Sequence, residues 1–416
     1  MPNHILHKNI NEQQIKFADS ASIDGFARLR VSNPHTLFDS KQISTNLPLE
    51  FDDQETSGSG TTSTHNADTA STTLSVSNLT AGTRVRQSFR RFNYSSGKSH
   101  LILQTAQLSE AADGITARVG YFDENNGIYF ESKDGAINVV RRSNTSGSPG
   151  EERVPYTSFN IDSMDGLGES GIAIDSSKTQ ILIIDIEWLG VGRVRMGFVV
   201  DGKVYYCHEF LNANALGVVF MSTPNLPLRY EISNDGTGPA SSMQHICATV
   251  ISEGGETNGT GITHFFGNGN TPVSCATAGT VYPLLAMRLK STHLGTEVRP
   301  LDLHILSRTS DDYEWRLYFN PTISGGSFSF SAHTNSAIEE AVGDGTLTIT
   351  AGQIIDGGLI NSAQKGGAGS HNVDNAQLLG SAIDGTRDVL VLAVMPLGSG
   401  TVNASAQATI TWKESQ

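Results

Sequence analysis

The run RVRMGFVVDGKVYYCHEF, Arg193–Phe210, decides the fold. Asp201-Gly202 is flanked by β-branched and aromatic stretches, Phe198-Val199-Val200 on one side and Lys203-Val204-Tyr205-Tyr206 on the other. Both positions of a two-residue hairpin turn need positive φ, which Asp-Gly tolerates, so the pair predicts two antiparallel strands joined by a type I′ turn. ESKDGAINVV repeats the device at Asp134-Gly135. Upstream, TRVRQSFRRFNYS, HLILQTAQLS, GITARVGYFD and QILIIDIEWLG read as further short strands, separated by Gly, Asn, Asp and Ser clusters. LRYEISNDG and SMQHICATVISEGG supply closing strands, and Gly254-Gly255 ends the series. Residues 81–255 are therefore expected to form an antiparallel β-sandwich of the jelly-roll or lectin-like kind.

A Gly/Asn/Thr-rich connector, 256–279, leads to a second strand series over 280–416 that includes TVYPLLAMRLK, RPLDLHILSRTS, EWRLYFNP, RDVLVLAVMPLG and ASAQATITWKE. This predicts a second sandwich, with one short helix at SAIEEAVG, Ser336–Gly343, capped by its Ser. Residues 51–80 are rich in Ser, Thr and Gly and lack large apolar side chains until Leu74, the composition of a linker. Residues 1–50 precede it as an extended N-terminal arm. Only 17% of the 416 residues are charged and 43 are Gly, which favours strands and turns over helices, so the fold class is all-β.

The same composition narrows the function. A net charge of −14 repels phosphate backbones, so nucleic acid is not an expected partner. No run approaches the roughly 20 apolar residues of a membrane-spanning helix, and MPNHILHKNINEQQIKF has no export-signal core. Cys207, Cys247 and Cys275 are too few and too scattered for a disulfide framework, and no zinc spacing occurs. Neither a GxSxG elbow nor an HExxH motif is present, and no motif asks for a cofactor. Asp185 and Glu187 share one face of ILIIDIEWLG, opposite Ile184, Ile186 and Trp188, and paired carboxylates on a β scaffold are the equipment of glycan cleavage. The polar face of an ordinary strand looks the same. NDGTG, Asn234–Gly238, offers oxygens to a cation but reads first as a turn.

Arginines concentrate in TRVRQSFRRF, where Arg84, Arg86 and Arg90 alternate with Phe89. Arg is the favoured cation of protein interfaces, so this basic and aromatic strand is expected to meet an acidic neighbour.

DGFARLRVSNPHTLFDSKQ (24–42), SMQHICATVISEGG (242–255), PLLAMRLK (283–290) and EWRLYFNP (314–321) together resemble a family of virion structural proteins of tailed bacteriophages. The resemblance spans both halves of the chain. It implies a capsid decoration or a tail or fibre component, assembled in the host cytoplasm, carried in the virion, homotrimeric and partnered by other virion proteins, and it brings no active-site residues. In FARLRV, Leu29 and Val31 face away from Arg28 and Arg30, and Leu37-Phe38 adds a second apolar tooth beyond the turn at Asn33-Pro34. Phe26, Arg28, Leu29, Arg30, Val31, Leu37 and Phe38 are accordingly expected to dock the arm on a neighbouring subunit by strand addition. The alternatives are a host-glycan-binding adhesin module presenting aromatics such as Tyr313 and Trp315, and a glycan-degrading enzyme built on Asp185 and Glu187.

Overall fold

The computed structural model describes residues 33–109, 112–255, 261–361, 371–372 and 378–415. At Asp201 (φ 50°) and Gly202 (φ 75°) the expected turn forms, and Val200 faces Lys203 across it. Asp134 (φ 48°) and Gly135 (φ 82°) make the second such turn, with Lys133 opposite Ala136.

Strands β1 (His35–Lys41), β2 (Phe51–Gly58), β3 (Thr61–Asn66), β4 (Ser71–Val76) and β5 (Gly82–Ser88) open the first half. They are followed by β6 (His100–Gln107), β7 (Ile115–Phe122), β8 (Gly127–Lys133), β9 (Ala136–Ser143) and β10 (Gly150–Pro155). This half is completed by β11 (Gln180–Ile186), β12 (Val194–Val200), β13 (Lys203–Phe210), β14 (Leu228–Asn234) and β15 (Ser241–Ser252). One sheet runs β13-β12-β11-β6-β15-β4-β3, with β1 also paired to β15; the other runs β10-β9-β8-β7-β14-β5-β2. Alternate residues of both sheets meet in one core, with Ile102, Leu182, Ile184 and Phe198 from the first and Val119, Ile128, Phe130 and Tyr230 from the second. Each such side chain contributes about 1.5–3 kcal/mol on burial.

The second half contains β16 (Ile262–Gly267), β17 (Val273–Thr277), β18 (Tyr282–Leu289), β19 (Glu297–Ser307), β20 (Tyr313–Ser324) and β21 (Ser331–Ala332). It ends with β22 (Ile338–Val342), β23 (Thr348–Ile360), β24 (His371–Asn372), β25 (Val389–Pro396) and β26 (Thr401–Ser415). Its sheets are β16-β26-β19-β24, with β17 also on β26, and β21-β22-β18-β25-β20-β23. Leu285, Leu317, Leu392, Ile410 and Trp412 lie in the core between them. All the strand pairs are antiparallel and the described residues contain no α-helix, so the chain is all-β, built as two sandwiches.

Four expectations need correction. The supposed linker 51–80 is strands β2, β3 and β4: β4 lies between β15 and β3 and sends Leu74 and Val76 into the core, and a strand with one face turned outward needs only a few apolar teeth on the other. SAIEEAVG is not helical. Ile338 points into the main core and Ala341 into a smaller cluster on the opposite face of the sheet, which suits a strand, because residues three apart on a helix share a face. The connector 256–279 contains β16 and β17, both carried on the long β26. Within the arm 1–50, the described part from residue 33 onward belongs to the first sandwich: β1 pairs with β15, setting Phe38 opposite Val250.

Candidate functional site

The residues expected to dock the arm divide at the edge of the described chain. Phe26, Arg28, Leu29, Arg30 and Val31 lie outside the described residues. Phe38, expected on a neighbour, is 6% exposed and packs against Phe51 and Phe92 at ring distances of 5.8 and 5.2 Å, while Leu37 lies partly buried against the same core. These two teeth are used within the chain because β1 is itself a strand of the sandwich.

The basic strand also finds its acid inside the chain. Arg84 Nε donates to Asp53 Oδ1 at 2.5 Å. Arg86 is fully buried: its guanidinium donates to His245 Nδ1 (3.1 Å), Gln42 Oε1 (3.1 Å), the Asn46 carbonyl and Asp53 Oδ2 (3.3 Å), and lies over the Phe51 ring. Burial and the charge of Arg86 hold His245 well below the usual histidine range, so the ring is neutral and free to accept at Nδ1. Phe89 and Arg90 sit at the seam between the halves: the Phe89 carbonyl accepts from Ser381 N at 3.0 Å, and Arg90 is drawn down by burial and up by Glu297. Arg84 and Arg86 thus take their acid, Asp53, from within the chain.

Asp185 and Glu187 stand in different settings. Asp185 faces Arg195 in register on β12 and accepts from its Nε at 3.0 Å, with Tyr206 Oη at 3.4 Å. Glu187 lies beyond the end of β11, exposed. Both line a polar groove of 370 Å³ with Arg193, Arg195, Lys98 and Glu253, three cations against three carboxylates. Tyr313 and Trp315, offered as ligand-facing aromatics, are 0% and 7% exposed and belong to the second core. At Asn234–Gly238 the Asn234 amide donates to the carbonyls of Ser77 and Gly238 while Asp235 accepts from Thr237, so this is a fastened turn. Among the described residues no group of three His, Cys, Asp or Glu is placed to hold a metal.

The largest of the clefts described here, 620 Å³, opens between the two halves. On one side is the loop from Asn93 to Lys98, anchored by Lys98 Nζ on the Gly255 carbonyl (2.7 Å). Asn225 links the halves, with Nδ2 donating to Asn93 Oδ1 at 3.2 Å and to the Gly295 carbonyl at 2.9 Å. Opposite stand Ile262 and His264 of β16, Asn335, and Glu414 near the end of β26. Glu414 is 4% exposed and held firmly: Oε1 accepts from Trp412 Nε1 (2.8 Å) and the Ser336 hydroxyl, and Oε2 accepts from Ala337 N (2.8 Å). His264 stacks on Trp412 (ring centroids 5.6 Å apart, 21°) and its buried Nε2, 3.7 Å from Glu414 Oε2, makes no hydrogen bond. The cleft brings together amides, a carboxylate, an imidazole and the edge of Tyr94, a set that can orient a polar ligand.

One feature that the sequence reading missed covers the outer face of the second sheet. Phe122, Tyr129 and Val140 form an apolar floor there, fully buried under arginines: Arg142 lies over Phe122 and Tyr129 at 5.7 and 5.1 Å, Arg229 over Phe122 at 5.4 Å and Arg118 over Tyr129 at 5.8 Å. Glu131 pairs with Arg118 and Arg153, Glu231 with Arg118 and Arg229, and Glu151 with Arg142 and Arg153. The signal was available in the alternation of Arg and Glu with core residues along β7, β8, β9 and β14.

No family model matches this chain, and no curated protein matches it. Solved structures resemble it at low identity. A Bacillus licheniformis β-glucanase is 10% identical over 51% of this chain and 96% of its own, with a TM-score of 0.33. Winged bean acidic lectin, in complex with methyl-α-D-galactose, is 9% identical over 54% and 100%, with a TM-score of 0.32. A Shewanella oneidensis protein of unknown function is 9% identical over 55% and 91%, with a TM-score of 0.35.

Proposed function

We propose that the chain is a non-catalytic structural protein of a tailed-phage particle, displaying its two sandwiches on the virion surface as a capsid decoration or as a tail or fibre component. One observation carries the reading: two of the segments that bear the family resemblance, separated by some two hundred residues of sequence, lie side by side as β1 and β15, with Asp39 opposite Thr249 and Lys41 opposite Cys247. Gln42 from the first segment and His245 from the second then close on Arg86. A motif whose parts meet in a buried tie is a structural motif. It fixes the body that would meet neighbouring virion proteins, and a homotrimer is the assembly the resemblance implies. Immunogold electron microscopy of intact particles, with an antibody against 280–416, tests this: label on the shell or on the tail supports it, and unlabelled particles overturn it.

The cleft between the halves favours a second reading, a module that binds host glycan. The tethered Glu414 carboxylate, the His264 ring and the nearby Asn93 and Asn335 amides line it and offer a polar surface to sugar hydroxyls. Retention on a glycan array that is lost in His264→Ala supports it, and a wild-type pattern in that variant refutes it.

A further inference from the structure

Strand β16 has two working faces. His264 turns toward the cleft, while Phe265 points the other way, 60% exposed on the outer surface of the five-stranded sheet. We propose that this outer surface is a separate binding site for a neutral oligosaccharide, with one pyranose ring seated against Phe265. The site lies on the second sandwich, needs neither the phage-particle reading nor the cleft, and shares with the cleft only the class of ligand.

The register builds it. On β26, Ile410 and Ala408 point into the core, so Thr409 and Thr411 point outward. Phe265 is the cross-strand partner of Thr411, Gly267 that of Thr409, and on the far side of β26 Thr409 faces His304 of β19. A ring, hydroxyls and an imidazole thus lie across three adjacent strands, above a groove of 260 Å³. That volume is below the range usual for drug-sized ligands and suits a single ring.

Gly267 keeps the groove open. A Cβ at this position would lie 2.7 Å from Thr409 Cγ2, so any side chain would fill the notch beside Phe265. The rim is stiffened: Asn268 Oδ1 accepts from Ala408 N at 2.9 Å, and Gln407 Nε2 donates to the Gly269 carbonyl. The His304 imidazole lines the groove and offers a ring nitrogen to a hydroxyl.

A single exposed Phe is common on protein surfaces and would mean little alone. Here the ring shares its groove with Ile305, Leu306 and Ala408 and with the hydrogen-bonding side chains of Asn268, His304, Gln407 and Thr409, a floor of apolar atoms with a polar rim. A pyranose has the matching character: one face of C–H groups, weakly positive against the negative face of the aromatic ring, and a rim of hydroxyls. No Lys, Arg, Asp or Glu is among the residues lining the groove, so the ligand is neutral.

The test uses the full chain on a microarray of neutral gluco-, galacto-, manno- and N-acetylglucosamine oligomers, followed by calorimetric titration of the strongest binder. Phe265→Ala is expected to weaken binding about tenfold and Phe265→Trp to retain it, with both melting as wild type. Full binding by Phe265→Ala overturns the proposal, as does a wild-type chain that binds nothing on the array. If His264→Ala loses the ligand while Phe265→Ala keeps it, the sugar sits in the cleft: this proposal falls and the cleft reading stands. If only Phe265→Ala loses it, the cleft reading falls.

Discussion

Arg86 Nε donates to His245 Nδ1 at 3.1 Å across 159 residues of sequence, in a position where neither side chain touches water. His245 stacks face to face on Tyr230, with ring centroids 3.9 Å apart, so the imidazole is held by packing on its face and by the guanidinium at its edge. Gln42 and Asp53 complete the ring of acceptors around the same arginine. The arrangement joins β1, β2, β5 and β15, and hence both sheets of the first sandwich.

Removing that arginine should therefore be costly. Arg86→Leu leaves Gln42 Oε1, the Asn46 carbonyl and His245 Nδ1 buried without their donor and takes from Asp53 one of its two guanidinium partners, a loss of about 3–5 kcal/mol. Arg84, whose side chain is 18% exposed, should cost only about 1 kcal/mol when changed to Ala. Denaturant unfolding followed by circular dichroism checks the contrast, and equal midpoints for the two variants would contradict it.

Acid should weaken the fold well before the carboxylates titrate. Burial lowers His100 to about 4, and the same cause lowers His208 to about 4. In the unfolded chain these rings titrate near 6.5, so between pH 6.5 and about 4 the unfolded state binds more protons, and stability falls as pH falls. His100, 1% exposed, should account for about 2 kcal/mol lost by pH 5. Both of its ring nitrogens are buried without a partner, so His100→Phe leaves no polar group stranded. Melting curves at pH 7.5, 6 and 5 should show a shallower decline in that variant than in wild type.

The ionic layer over Phe122 and Tyr129 predicts an asymmetry. Glu131 is wholly buried between Arg118 and Arg153, and Glu131→Ala strips each guanidinium of one of its two carboxylates, leaving Glu231 and Glu151 to hold them, at a cost of about 1.5–3 kcal/mol. Glu152 pairs with Arg141 at the rim, half exposed, and Glu152→Ala should change stability by less than about 1 kcal/mol. Chemical denaturation of the two variants decides it.

What the sequence could reveal follows from where each signal is stored. The two Asp-Gly hairpins were legible because their chemistry is local: two residues set φ, and the flanking strands pair with each other. Strands β2 to β4 were not, because the ladder that makes a strand of Ser71–Val76 comes from Ser241–His245, far along the chain. Local propensity misassigned SAIEEAVG for the same reason, since Arg288 opposite Glu339 and Leu289 opposite Ile338 fix it as a strand. Arg84 and Arg86 were correctly seen as needing acids, but the acid, Asp53, stood in the stretch dismissed as a linker. The cleft was wholly illegible. Asn93, His264, Asn335 and Glu414 carry no common motif, and only the sheet topology brings them together.

The carboxylates of β11 offer the last prediction. A glycan-cleaving site needs one carboxylate free to act as nucleophile or base and a second to give a proton, both reaching the same bond. Asp185 already spends its charge on Arg195 and Tyr206, while Glu187 lies beyond the strand and exposed to solvent. Incubation with laminarin, mixed-linkage glucan and other β-glucans should release no reducing ends from wild type. Asp185→Asn should lower the melting point only slightly, because Arg195 is about one-third exposed and water can replace its partner. Glu187→Gln should melt as wild type. Release of reducing ends that disappears in Glu187→Gln would reverse the assignment and make the polar groove, not the cleft, the working centre of the protein.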